Sequence, residues 1–155
     1  MVKAAYSCGD LDKSYIVLQA ILREVVCLSD QLDAQLLIVK IRYDQGLLDE
    51  AYKTSYEVLS QLGESVPDQF SEEERLGFVR KTAHMLAGVS EESLIQMKEM
   101  ERKEQFILRF YMIIATVSFH SKPNLVPFFH CRMNQITMTH GFCKLSLLGK
   151  LISLL

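Results

Sequence analysis

Cysteine and histidine are the residue types in this chain best suited to bind a metal ion. His120, His130 and His140 follow one another at intervals of ten residues, and the cysteines near them are Cys131 and Cys143. A zinc site takes its ligands from closely spaced Cys and His pairs, and no such pair recurs here. On a helix, a spacing of ten also turns successive side chains away from a common face. We therefore expect core or surface histidines and no metal site.

The cysteine pattern indicates reduced thiols rather than a disulfide framework. No two of the four cysteines form a CxxC pair, and the N-terminal MVKAAYSCGD lacks the apolar region of a secretory signal peptide. We therefore expect a cytoplasmic protein with reduced, buried thiols. The cysteines are Cys8, Cys27, Cys131 and Cys143.

Neither the acidic cluster nor the Gly-Lys pair near the C-terminus forms a catalytic motif. Residues Glu72–Glu74 suit the positive end of a helix dipole, and no histidine or nucleophile is spaced to act with them. A phosphate-binding loop needs GxxxxGK[ST], but Gly149 has no glycine five residues before it, and Leu151 follows Lys150. The HRD and DFG sets of protein kinases are also missing. We predict no enzymatic activity, no catalytic or cofactor-binding residue, and no cofactor.

Composition and charge exclude several other classes of protein. The chain is 49% hydrophobic and 23% charged, which is ordinary for a globular protein and excludes a wholly disordered one. The net charge of −2 gives no electrostatic footprint for nucleic acid. The most apolar stretch, FYMIIATVSF, is too short to span a bilayer, which needs about 20 residues. The 155 residues suffice for one domain, and plentiful Leu, Glu, Lys, Gln and Met favour helix.

One segment of the chain occurs twice, at an offset of 37 residues. GDLDKSYIVLQAILREVV begins at residue 9 and GLLDEAYKTSYEVLSQLG at residue 46, and the apolar residues of both recur at helical spacing. The preceding DAQLLIVKIRYDQG is also a predicted helix, which Gly46 can end in the left-handed conformation. The unit is therefore helix, glycine turn, helix. The identities pair Gly9 with Gly46, Leu11 with Leu48, Asp12 with Asp49, Tyr15 with Tyr52, and Leu22 with Leu59.

The offset lies near the period of a tetratricopeptide repeat, which is about 34 residues. A small residue follows each turn glycine by five positions, Ser14 in the first copy and Ala51 in the second, and lets two helices approach closely. Ser55 fits less well, because this place normally holds a large apolar residue. The alternative is two unrelated amphipathic helices. We expect an all-α fold: a partial α-solenoid of tetratricopeptide-like helical repeats.

The middle of the chain carries clear signals for where helices begin and end. Ser71 and Glu74 have the spacing of a capping box, which predicts a helix from there to about Leu86, ended by Gly88. Ser90 can cap a further helix over SEESLIQMKEM. Six methionines of this region and beyond are interpreted as core residues rather than as an adaptable binding surface: Met85, Met97, Met100, Met112, Met133 and Met138.

The second half contains a helix that is apolar on nearly every side, from Lys103 to His120, and such a helix lies in the centre of a fold. A narrow polar stripe on it consists of Arg102, Arg109 and Thr116. Pro123 or Asn124 begins the last clear helix, and Gly141 ends it. One face of that helix carries Leu125, Phe129, Met133 and Ile136.

Several segments together resemble a known kind of protein region: LSDQLDAQLLIVKIRYDQGLLDEAYKTSYEVLSQLGESVP, TAHMLAGVSEESLIQMKEM and NLVPFFHCRMNQITMTHG. They resemble the tetratricopeptide-like helical region that follows the ATPase module in large signalling proteins, which combine a kinase-like domain, an AAA-type ATPase and often a sensor histidine kinase. The resemblance covers about residues 5–141 and departs after Gly141. It implies a non-catalytic segment that couples an ATPase to signalling domains or holds partner proteins.

The resemblance and the ends of the sequence suggest two regions, a helical repeat region over 1–141 and an apolar segment over 142–155. The first repeat begins partway through a helix, so we expect a piece of a larger array that self-associates through exposed ends. The apolar segment is interpreted as lacking a protein neighbour, the alternative being an amphipathic membrane helix. A free-standing helical adaptor and a small helical enzyme with an unrecognised site are the alternative functions.

Overall fold

The computed structural model describes residues 10–25, 27–90, 92–93 and 96–143, and most of these residues lie in helices. No β-strand occurs among them; Glu99 and Phe142 form one isolated parallel bridge. The all-α prediction is therefore confirmed. The helices are α1 (Leu11–Glu24), α2 (Leu28–Asp44), α3 (Leu48–Gln61), α4 (Glu72–Ala87), α5 (Arg102–Ser121) and α6 (Val126–His140), with a 3-10 turn at Pro123–Leu125.

The order of the helices in space differs from their order in the chain. α1 packs on α2 and α2 on α3, as expected for successive helices of a repeat array. α5 then packs against both α2 and α3, α6 packs on α5, and α4 packs on the far side of α6. Among the described helices, α1 and α4 thus form the two ends of the array, although α4 comes between α3 and α5 in sequence.

The helix α5 lies in the centre of the core, as its apolar sequence predicts. Phe110, Tyr111, Ile114 and Val117 are fully buried because α2, α3 and α6 cover it from three directions. The predicted polar stripe is also found, since the side chains of Arg102 and Arg109 and residue Thr116 reach solvent. Of the four residues predicted to share the buried face of this helix, Phe129, Met133 and Ile136 are buried on α6, and Leu125 is buried in the 3-10 turn before it.

The helix α2 is apolar on two sides because it packs between two layers. Leu32, Leu36 and Val39 join the main core with α3, α5 and α6, and the opposite side joins a smaller cluster with α1. That smaller cluster contains Leu18, Ala34, Ile38 and Ile41. Tyr43 lies at the end of α2 and is 36% exposed, although helical spacing places it on the same face as the buried Leu36 and Val39.

The predicted turn at Gly46 is confirmed. The backbone N–H of Gly46 donates to the carbonyl of Tyr43, and that of Leu47 donates to the carbonyl of Arg42, at 3.0 and 2.9 Å. These two hydrogen bonds form a Schellman motif, which needs a left-handed residue after the helix. Gly46 supplies it with a φ of 77°. The equivalent Gly9 lies outside the described residues.

The capping box at the start of α4 is present as predicted. Ser71 Oγ accepts a hydrogen bond from the backbone of Glu74, and the Glu74 carboxylate accepts one from the backbone of Ser71. The helix ends at Ala87 with Gly88 as its C-cap.

The segment after Ser90 differs from its prediction. Ser90 Oγ accepts from the backbone N–H of Ser93 as a helix cap does, but residues 97–101 are not helical. Their backbone pairs with the end of α6 instead: Phe142 donates to the carbonyl of Lys98, and Met100 donates to that of Phe142, both at 2.9 Å. Met100 is buried by this pairing. The tertiary contact therefore overrides the local helix propensity.

The thiols are only partly as expected. Cys143 is buried and Cys131 is half-buried, but Cys27 is exposed, because it is the residue that precedes α2 in a turn. All three are free. Cys8 and the Gly149-Lys150 pair lie outside the described residues. Of the six methionines, Met100 and Met133 are buried and the others are half-buried.

Candidate interaction surfaces

A partly buried ion pair joins α5 and α6 to the segment that follows α3. Arg132 of α6 donates from Nε and Nη2 to the two carboxylate oxygens of Glu64, at 2.8 and 2.9 Å. The Tyr111 hydroxyl of α5 donates to the same carboxylate at 2.8 Å. Glu64 follows the end of α3, and its side chain is only 10% exposed. No motif in the sequence predicts this cluster; the one available signal was Arg132 in the middle of α6.

The electrostatics of this cluster suit a structural role rather than catalysis. Burial raises the pKa of Glu64, but the hydrogen bonds from Arg132 and Tyr111 outweigh it, so that the pKa lies below its ordinary value. Burial and the neighbouring carboxylate raise the pKa of Tyr111. A carboxylate with a low pKa that accepts three hydrogen bonds is a poor general base. The cluster therefore fixes the end of α3 against α5 and α6.

The two tyrosines of the sequence repeat have matching partners. The Arg42 guanidinium, near the end of α2, lies 5.5 Å from the centre of the Tyr15 ring and donates to the Tyr15 hydroxyl at 2.9 Å. Lys122, directly after α5, places its Nζ 4.2 Å from the centre of the Tyr52 ring. Each tyrosine thus faces a cation from the C-terminal end of the helix that packs beside its own. The pair α1 and α2 corresponds in this respect to the pair α3 and α5.

Arg42 also connects α1 to α3, so the first three helices share one polar contact. Its Nη1 donates to the Thr54 hydroxyl, and its Nε lies 3.4 Å from the carboxylate of Glu50. Gln45, just after α2, donates to the carboxylate of Asp12 in α1 at 3.0 Å. These contacts link residues of both copies of the repeat.

A groove of about 330 Å³ lies on the surface between α2 and α5. Tyr43, Met112 and Ile113 form its apolar part, and Thr116 of the polar stripe lies on its rim. Lys40 and Asp44 add the charged groups of the rim. We call it the α2–α5 groove. A concave, mostly apolar surface with a few polar groups is the usual form of a ligand-binding site.

A larger cavity of about 520 Å³ lies between the loop before α4 and the turn before α6. Two of its charged groups, Glu74 and Lys122, have partners within the chain. Glu74 is held by the capping box, and Lys122 lies over Tyr52. This cavity is therefore a weaker candidate than the α2–α5 groove.

The histidines and cysteines of the sequence do not come together in the described part of the chain. No group of three His, Cys, Asp or Glu residues in it could hold a metal ion. His120 is exposed, and His140 lies 3.9 Å from Glu104. Burial lowers the pKa of His130 and raises that of the Cys131 thiol, which makes this thiol less reactive. Residues Glu72–Glu74 lie in the first turn of α4, as predicted.

No helix in the described ranges has the length and apolarity that a membrane span requires. In comparisons with protein-family models, with curated proteins and with solved structures, no significant match to this chain was found. The resemblance to the helical region of signalling ATPases therefore stays a hypothesis, based on the residues quoted above.

Proposed function

We propose that this chain is a non-catalytic segment of tetratricopeptide-like helical repeats that binds protein in the cytoplasm. In the larger chain that we envisage, it couples an AAA-type ATPase module to further signalling domains. The equivalence of the two tyrosine–cation contacts carries the proposal. It supports the view that the sequence repeat is also a repeat of packing, and stacked repeats of this kind present extended binding surfaces.

The α2–α5 groove is the surface we assign to this binding. On the proposed repeat, α2 and α5 are equivalent helices of successive units, since each supplies the cation for a repeated tyrosine. A groove between equivalent helices continues from unit to unit as units are added. Its apolar part offers Tyr43 as an exposed aromatic anchor, and aromatic anchors dominate binding energy at protein interfaces.

The coupling role is tested by the reading frame that encodes the chain. Sequencing full-length transcripts, together with the mass of the native protein, shows what lies upstream. We expect a P-loop ATPase encoded in frame before residue 1. A transcript that encodes a separate protein of this length supports the free-standing adaptor instead and refutes the coupling role.

A further inference from the structure

A further surface cavity, of about 320 Å³, lies between the start of α1, the end of α2 and the start of α3. Among the residues that the structure describes, none lines both this cavity and the α2–α5 groove. Ile16 and Leu47 form its apolar wall, although they are 68% and 43% exposed. We call it the α1–α3 cavity.

The packing of the sequence repeat does not require an apolar residue at position 16. The offset of 37 residues pairs Ile16 of α1 with the exposed Lys53 of α3. Since the same position of the second copy holds a lysine, the isoleucine is not needed to pack the two helices of a unit. Exposed apolar side chains that are rimmed by polar groups mark an interaction site.

The polar edge of the α1–α3 cavity carries the carboxylates of Asp12 and Glu50. Asp12 accepts a hydrogen bond from the neutral amide of Gln45 at 3.0 Å, which leaves its charge in place. Arg42 also lines the cavity, but its guanidinium is already engaged. Its Nη2 donates to the Tyr15 hydroxyl at 2.9 Å, and its Nε lies 3.4 Å from the Glu50 carboxylate. Both carboxylates can therefore accept further hydrogen bonds from a cation.

The wider surface around the cavity is also acidic. Residues 10–16 and 42–50 contain five acidic residues, namely Asp10, Asp12, Asp44, Asp49 and Glu50, against the two basic residues Lys13 and Arg42. Such a local excess of one sign raises the concentration of oppositely charged groups near the surface. The charge of the occupant is therefore positive, and the apolar wall adds a preference for aliphatic side chains.

We propose that the α1–α3 cavity binds a segment of a partner protein in which an arginine lies between aliphatic residues. The guanidinium pairs with the carboxylates of Asp12 and Glu50, and the aliphatic neighbours pack on Ile16 and Leu47. Arginine suits the site better than lysine, because its planar fork can reach two carboxylates and is more weakly hydrated. This second surface goes beyond the proposed function and does not rest on the α2–α5 groove.

Amide NMR spectra of the whole chain test the proposal, at a concentration where light scattering shows a monomer. The probes are two pentapeptides with capped ends, Gly-Leu-Arg-Leu-Gly and Gly-Leu-Glu-Leu-Gly. We expect the arginine peptide to cause saturable shifts around residues 10–16 and 42–50, with a Kd of about 1 mM, because a single exposed ion-paired side chain adds little affinity. The glutamate peptide should cause no saturable shift there.

Two aspartates that the sequence repeat pairs provide a matched test of the carboxylate. Asp12 and Asp49 both lie in the first turn of their helices, but only Asp12 lines the cavity. Asp12→Asn should raise the Kd of the arginine peptide at least about threefold, and Asp49→Asn by less than about 1.5-fold. The spectra of the free variants show directly whether each one keeps the fold.

A second variant tests the apolar wall and removes no hydrogen bond. Ile16→Ala should also weaken the arginine peptide about threefold. Val79→Ala is its control, because Val79 is 41% exposed on α4 and does not line the cavity. It should leave the Kd unchanged.

Four results would overturn the proposal. The first three are no saturable shift with the arginine peptide, equal shifts with both peptides, and equal weakening by a cavity variant and its control. The fourth is a set of shifts around the cavity that grows with protein concentration in the absence of peptide. That result would assign the apolar wall to a second copy of the chain.

Discussion

At the scale of single residues, the polar groups of this protein hold helices together. Glu64, Tyr111 and Arg132 bring charge into the core without leaving an unpaired group in the cluster, because the bidentate arginine and the tyrosine satisfy both carboxylate oxygens. Removing one partner of such a pair costs more than the pair contributes, since the other partner stays partly buried without compensation.

Glu64→Gln is therefore expected to destabilise the fold. The glutamine amide is uncharged and has only one acceptor oxygen, so it cannot accept both hydrogen bonds from Arg132. The free energy of unfolding should therefore fall by about 1.5–3 kcal/mol in urea titrations. Glu72→Gln is the matched control, because Glu72 is exposed and pairs only with Arg75 on the same helix. Its effect should stay below about 0.5 kcal/mol. Equal effects of the two substitutions would show that the pair of Glu64 with Arg132 adds no more to the free energy of unfolding than an exposed pair does.

The same carboxylate should make stability depend on pH. The pKa of Glu64 in the folded protein lies below its ordinary value of 4.5, so its contribution is complete above the unfolded pKa. This contribution to stability is lost as the pH falls below 4.5 and through the lower pKa that Glu64 has in the folded protein. Urea titrations between neutral pH and pH 3 should show this loss in the wild type, and a smaller slope in Glu64→Gln. Parallel curves for the two proteins would contradict the assignment.

At the scale of helices and turns, the sequence predicts most elements because their signals are local. The capping box of α4, the Gly46 turn and the apolar α5 depend on residues a few positions apart, and the structure contains all three. The helix predicted after Ser90 does not extend over residues 97–101, because residues 98–100 pair with Phe142, more than 40 positions away. No local pattern encodes that contact. The ion pair of Glu64 with Arg132 escapes prediction for the same reason.

Gly141 should be the most sensitive of the described glycines to substitution. It ends α6 with a φ of 106°, and a Cβ there would lie 2.2 Å from the carbonyl oxygen of Lys98. Gly141→Ala should lower the free energy of unfolding by about 2–3 kcal/mol in urea titrations. The added methyl group would strain the backbone at residue 141 and displace residues 98–100, which pair with Phe142. Gly77→Ala in the exposed part of α4 should instead stabilise by about 0.5–1 kcal/mol. Stabilisation by both substitutions would contradict this view of the turn.

At the scale of the whole molecule, the sequence repeat predicts that α1 packs on α2 and α2 on α3, but it does not predict the position of α4 or that of α5. The chain passes from α3 to α4 at the far end of the array and returns through residues 97–101 to α5. A repeat pattern encodes which faces are apolar; it does not encode which of several apolar partners a helix takes. The α2–α5 groove follows from this order in space, and a model of strictly successive repeats would have placed α4 beside α3.

We predict that the chain does not bind nucleotide. Neither the Gly149-Lys150 pair nor any other stretch of the sequence supplies a phosphate-binding loop. Calorimetric titration of the purified chain with Mg·ATP should give no saturable heat, with a P-loop ATPase as positive control. Saturable binding in the micromolar range would favour the small helical enzyme over the binding segment.

Binding of the chain to the ATPase module that we propose as its neighbour tests the central claim most directly. Tyr43→Ala removes the aromatic anchor of the α2–α5 groove, and Phe119→Ala removes an aromatic residue that is 68% exposed on α5 but does not line the groove. We predict that calorimetry shows saturable binding, that Tyr43→Ala weakens it at least about fivefold, and that Phe119→Ala leaves it unchanged. Absence of binding, or equal affinity for the wild type and Tyr43→Ala, would contradict the account.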